Sequence, residues 1–148
     1  LVNVLQALIL TEGEKMLLTP TYHVFDMYQV HHDAVLLPVN LACGTYSRLG
    51  RAMPVISATA SKDKNGAIHI SFVNIDPSNE IEISCSLRGT EKSNITKSQI
   101  ITGDKVETYN TFEKPDNIRL VDYKGAKCKD GELSLKIPAK SLVMVELK

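Results

Sequence analysis

A change of hydrophobic period near residue 35 constrains this chain more than any other feature. Beyond that point apolar side chains recur at every second position. Ile68, Ile70 and Phe72 alternate with His69 and Ser71. Ile81, Ile83, Cys85 and Leu87 alternate with Glu80, Glu82, Ser84, Ser86 and Arg88, and Leu133, Leu135 and Ile137 alternate with Glu132, Ser134 and Lys136. A pleated strand turns successive side chains to opposite faces, so each run reads as a half-buried strand with one wet face. Leu142 to Val145 is apolar on both faces and predicts a central strand. Lys64-Asn65-Gly66, Asp76-Pro77-Ser78-Asn79, Gly103-Asp104 and Asp130-Gly131 supply turns between the runs. Short strands at such intervals argue for an antiparallel β-sandwich.

Before the boundary, which falls between Asp33 and Pro38, the pattern is different. Leu1, Leu5, Leu8 and Ile9 form a helical stripe, widened by Val2 and Val4, and Thr11-Glu12-Gly13-Glu14 supplies turn chemistry. Met16-Leu17-Leu18 reads as a short buried strand. Thr19 can cap a second helix, Pro20 suits its first turn, and Val24, Phe25, Tyr28 and His32 mark its buried face. The expectation is helix, strand, helix over residues 1–34, followed by a mainly β unit over 35–148.

The words TPTYHVFDMY (Thr19 to Tyr28), preceded by NVLQALILTEGEKMLL, resemble the end of the barrel in the α-L-arabinofuranosidases of glycoside hydrolase family 51. Asn110-Thr111-Phe112-Glu113-Lys114-Pro115-Asp116-Asn117-Ile118 resembles that family's NTFENPD-V segment, with Lys114 in place of Asn. Ile137 to Val145 resembles its P-P-x-S-V-x-V-L ending, with Ala139 in place of the second Pro. The resemblance spans essentially the whole chain and maps it onto the C-terminal third of the family. It implies a helix-strand-helix remnant of a (β/α)8 barrel in residues 1–34 and a jelly-roll-like sandwich in 35–148.

It also implies a parent enzyme that removes terminal non-reducing α-L-arabinofuranosyl groups from arabinan or arabinoxylan with retention. The two glutamates such chemistry uses would lie on barrel strands four and seven, upstream of Leu1. The chain alone is therefore expected to be inactive. Its implied partners are the missing barrel and, through the parent, an arabinose-containing polysaccharide; no cofactor or metal is implied. An apolar run such as LVNVLQALIL, cut from its neighbours, is expected to fold back, fray or pair with a second copy, which makes a homo-oligomer an expectation. A carbohydrate-binding module and an oligomer-interface domain are the competing functions.

Composition sets further limits. A complete eight-stranded α/β barrel needs about 200 residues or more, and this chain has 148. Seventeen basic and seventeen acidic residues, with no basic block, lack the footprint of a nucleic-acid binder. The longest apolar run, Leu1 to Leu10, is half of the roughly twenty residues a spanning helix needs, so no membrane partner is expected. Cys43, Cys85 and Cys128 lie far apart without metal-ligand spacing and read as buried free thiols. Asn94-Ile95-Thr96 fits a glycosylation acceptor, relevant only in a eukaryotic secretory setting.

Individual polar residues lean toward structural roles. Glu12 and Glu14 read as a solvated turn at the rim opposite a barrel's catalytic one. Thr19 and Thr21 read as helix-start residues, and Asn3 and Gln6 as amides in structural hydrogen bonds. His23, His31 and His32 lack i, i+4 ligand spacing, and His69 stands alone on a strand's polar face. Residues 44–51, GTYSRLGR, have two glycines but no phosphate-loop Lys and read as a plain loop between domains. No G-x-S-x-G elbow is present. With no Trp, a sugar platform would need two of Tyr46, Tyr109 and Tyr123 to be exposed together.

Overall fold

The structure is a computed structural model that describes residues 2–4, 7–89 and 93–148. In chain order the elements are β1 (Ile9–Glu12), β2 (Lys15–Leu18), helix α1 (Pro20–Tyr28) and a 3₁₀ turn (Gln29–His31). Then come β3 (Val35–Leu37), β4 (Thr45–Arg48), β5 (Arg51–Pro54), β6 (Ile56–Lys62), β7 (Ile68–Asn74) and β8 (Ile81–Ser86). The chain ends with β9 (Ile95–Thr102), β10 (Val121–Asp122), β11 (Ala126–Lys129), β12 (Glu132–Ile137) and β13 (Ser141–Leu147). A large sheet runs β10-β9-β13-β7-β6-β3 and a small one β11-β12-β8, and every strand pair in both is antiparallel.

The alternation in the sequence builds the core between these sheets. Ile70 and Phe72 of β7 and Val143, Val145 and Leu147 of β13 meet Ile83 of β8 and Leu133, Leu135 and Ile137 of β12 in one buried cluster. Strand β13 lies between β7 and β9, as its two apolar faces predict. Its second face, Leu142 and Met144, joins Met27, Ile101 and Ile118 in a smaller cluster under α1. The molecule therefore has three layers: small sheet, large sheet, and a cover made of α1, the 3₁₀ turn and the irregular segment 103–120.

Residues 1–10 depart from the expected helix. Leu1, Leu5 and Gln6 lie outside the described residues. Val2 makes a parallel bridge to Ile9, Asn3 sits at φ 50°, and Ile9 and Leu10 open an antiparallel hairpin with β2, pairing Ile9 with Leu18 and Leu10 with Leu17. Two features favour strand here. Val2, Val4 and Ile9 are β-branched, and Gly13, at φ 58° in the first place of a two-residue loop, closes a tight hairpin that a side chain at that position would strain. Leu17 gains almost complete burial by this pairing, at 2% exposure.

The segment 44–51 also differs from expectation. It is not a plain loop but most of a hairpin, β4 against β5, with Arg48 opposite Arg51. Leu49 and Gly50, at φ 52° and 73°, form the two-residue turn that suits a twisted strand pair.

Candidate functional site

A set of polar side chains holds the helical cover to the N-terminal hairpin and to the large sheet. Helix α1 begins at Thr19, whose hydroxyl accepts the amide of Tyr22 at 3.4 Å and donates to the carbonyls of Ala7 at 2.8 Å and Leu8 at 3.1 Å. One side chain thus caps the helix and ties it to the segment entering β1. Asn110 closes the other side. Its amide nitrogen donates to the carbonyls of Leu18 at 2.9 Å and Ile118 at 2.8 Å, and its oxygen accepts the Ile118 amide at 2.6 Å. A buried amide with all three bonds made pins the 103–120 segment onto the end of β2.

Where the 3₁₀ turn meets the sheet, His31 lies with Nδ1 2.7 Å from the Ser61 hydroxyl and Nε2 2.8 Å from the Ser71 hydroxyl. His69 of β7 stands edge-on to it, ring centroids 6.5 Å apart. On its far side His69 Nε2 is 3.4 Å from Asp63 Oδ2, and Nδ1 is 3.8 Å from Glu146 Oε2. Glu146 also accepts the Thr96 hydroxyl at 2.6 Å.

His69 is therefore not on a wet face. It is 4% exposed, and Ser61 and Ser71 are buried beside it, because the cover supplies a third layer over strand positions that alternate with the core. Burial holds the His31 ring below the usual imidazole range, helped by the neighbouring His69 and His32. Partial burial raises the Asp63 carboxyl, but the Ala67 amide, the His69 ring and the Asn65 amide outweigh it and leave Asp63 below its ordinary value.

The buried face of α1 is also not quite the expected one. Met27 is its buried residue and Val24 and Tyr28 pack beside it, whereas Phe25 is 61% exposed and His32 is exposed. An α-helix turns 100° per residue, so Phe25 points away from a sheet that Met27 and Val24 face. Phe25 instead helps to line an open groove with Leu8, Tyr22, Gln29, His32 and Asp33.

The other residues singled out by sequence are scattered. Glu12 and Glu14 are exposed at the tip of the β1–β2 hairpin. Thr21 is exposed in the first turn of α1. Asn3 bonds the Thr11 hydroxyl and amide, each at 2.7 Å, from an exposed position rather than from inside a helix. His23 packs edge-on against Tyr22. No three His, Cys, Asp or Glu side chains among the described residues converge as metal ligands.

The three thiols are free and partly buried, and burial pushes those of Cys85 and Cys128 up, the direction opposite to that of an activated thiol. Tyr46 and Tyr123 pack against the core, with the Tyr123 hydroxyl on the Lys136 carbonyl, and of the three candidate tyrosines only Tyr109 is exposed. Stacking on a sugar ring needs an open aromatic face, so these tyrosines do not form a platform. The role of Asn110 and the His31–His69 pairing were missed from sequence. His69 alternates with apolar residues as a wet position would, and Asn110 lies between Tyr109 and Thr111 in an irregular segment, so neither position names a partner.

Comparison with known proteins fits this architecture. The family model for the α-L-arabinofuranosidase C-terminal domain matches residues 1–141. The chain is 46% identical over 149 residues to an intracellular exo-α-L-arabinofuranosidase of Bacteroides ovatus, covering all of this chain and 29% of that protein. The crystal structure of the family 51 arabinofuranosidase from Xanthomonas axonopodis pv. citri matches with a TM-score of 0.95 and 38% identity, over 100% of this chain and 30% of that one. The α-L-arabinofuranosidase of Thermotoga maritima, solved as an arabinose complex, shares the fold at a TM-score of 0.84 and 22% identity, over 99% of this chain and 32% of that one. The chain thus spans less than a third of the length of these relatives. A family match across nearly all of the residues, on a mainly β antiparallel fold, means that this chain belongs to the C-terminal domain family of the α-L-arabinofuranosidases.

Proposed function

We propose that this chain serves as the accessory, stabilising domain of a retaining α-L-arabinofuranosidase acting on arabinan or arabinoxylan, and that the catalytic glutamates lie outside it. The observation that carries this is the exposed apolar surface of the N-terminal segments, which lies on α1, on β2 and on the residues before β1. Met27 faces the large sheet, while Phe25, Met16, Val2 and Val4 are exposed, at 61%, 65%, 49% and 56%. An amphipathic element normally leaves its polar side outward, and a second apolar side calls for a second layer. The occupant is the parent's catalytic barrel. Residues 1–34 then form the edge of the catalytic unit, and residues 35–148 form the jelly-roll-like sandwich that backs it.

The test is Phe25→Asp in the full-length enzyme. The expected result is a lower thermal midpoint of arabinofuranosidase activity, since a charge replaces about 1.5–3 kcal/mol of aromatic burial, with the far-ultraviolet β signature retained at low temperature. An unchanged midpoint would mean that Phe25 faces water and that the barrel docks elsewhere. Self-association through the same face is the second reading, tested by sedimentation of the full-length enzyme over a range of concentrations.

A further inference from the structure

We propose that His31 makes the joint between the helical cover and the large sheet acid-labile, so that a proton taken up by its ring loosens residues 20–31 while the two-sheet sandwich stays folded. The geometry points to this because His31 is the cover's one ring wedged between two buried sheet hydroxyls. Its nitrogens lie 2.7 Å from Ser61 Oγ and 2.8 Å from Ser71 Oγ. A neutral imidazole can accept from one serine and donate to the other, and serine hydroxyls can rotate to suit either tautomer. A protonated ring must donate to both, which leaves both buried serine hydroxyl hydrogens, instead of one, without an acceptor among the described residues, and its charge then sits beside a second histidine.

The titratable groups facing the pair come from every element around it. Tyr28 and His32 lie on its own segment, His69 on β7, Asp63 in the β6–β7 turn and Glu146 on β13. Both carboxylates are spent on His69, at 3.4 and 3.8 Å, and the neighbours that act electrostatically on His31 are the two histidines, both unfavourable to its charge. Burial acts in the same direction, ahead of both.

The sign follows from linkage. A base whose folded-state pKa is depressed contributes stability that is complete above the unfolded value of about 6.5 and is lost as pH falls through the folded value. The loss falls on the cover because the cluster between the two sheets contains no titratable side chain among its buried residues and His69, on the other face of β7, has two carboxylates beside it, whereas the cover depends on the small cluster around Met27.

The experiment is hydrogen–deuterium exchange on the full-length protein between about pH 7.5 and pH 5, corrected for the change in intrinsic rate. Expected is a loss of protection confined to residues 20–31 and absent in His31→Gln, which keeps a donor and an acceptor for the serines but cannot take a proton. In parallel, ring-labelled histidine followed by NMR should show His31 titrating at the pH where protection is lost, a readout that stands even if the variant fails to fold. Unchanged protection on acidification, loss that persists in His31→Gln, or a His31 midpoint away from the transition would each overturn the proposal.

Discussion

At Asn110 one side chain satisfies three backbone groups, two of them on Ile118 and one on Leu18. Removing it leaves the Ile118 amide buried without a partner, so Asn110→Ala should destabilise by about 1–3 kcal/mol, read as a lower urea midpoint with an unchanged slope. Thr19→Val removes the oxygen that caps α1 and holds the Ala7 carbonyl, at a cost of about 0.5–2 kcal/mol. Leu49 behaves oppositely. It is 93% exposed at φ 52°, so Leu49→Asn relieves backbone strain without losing packing and should raise stability by up to about 1 kcal/mol. A fall in the melting midpoint for Leu49→Asn would show that the side chain has a packed role. Of these residues, Thr19 was legible in sequence from its place before Pro20. Asn110 was visible only as part of a family-like segment, because its three partners are set by the path of an irregular chain.

Among the elements, the strands of the sandwich were readable because one buried face and one wet face leave a period of two in the sequence. The reading weakened wherever a third layer covered the second face. His69 and Ser71 of β7 look like wet positions and are buried under the 3₁₀ turn. The first ten residues misled for a related reason. An apolar run with little alternation fits a buried helix and a buried hairpin equally well, and the strand result depends on Gly13 and on cross-strand partners in β2. In α1 the 3.6-residue spacing places Val24 and Tyr28 on the buried side, but it puts Phe25 there in place of Met27. Met27 is 2% exposed and anchors the cluster under the helix. Met27→Ala should cost about 2–5 kcal/mol and increase hydrogen exchange in α1 before the sandwich strands, in the order that local unfolding of a weakly anchored cover requires.

For the whole molecule, three layers with two clusters give a clear division of labour. The core between the sheets is large, and its buried residues are all apolar. The cover is held by Met27, Asn110, Thr19 and the His31 site, while Phe25 of α1, Met16 of β2, Val2 and Val4 are exposed. On the proposed function, the exposed apolar residues are where a catalytic unit would dock. The most direct measurement is an NMR titration of the ¹⁵N-labelled chain with an arabinoxylo-oligosaccharide, following amide shifts and free-arabinose signals in one tube. If the chain is the accessory domain proposed above, both should stay unchanged; release of arabinose, or saturable shifts of the sandwich amides, would contradict the account.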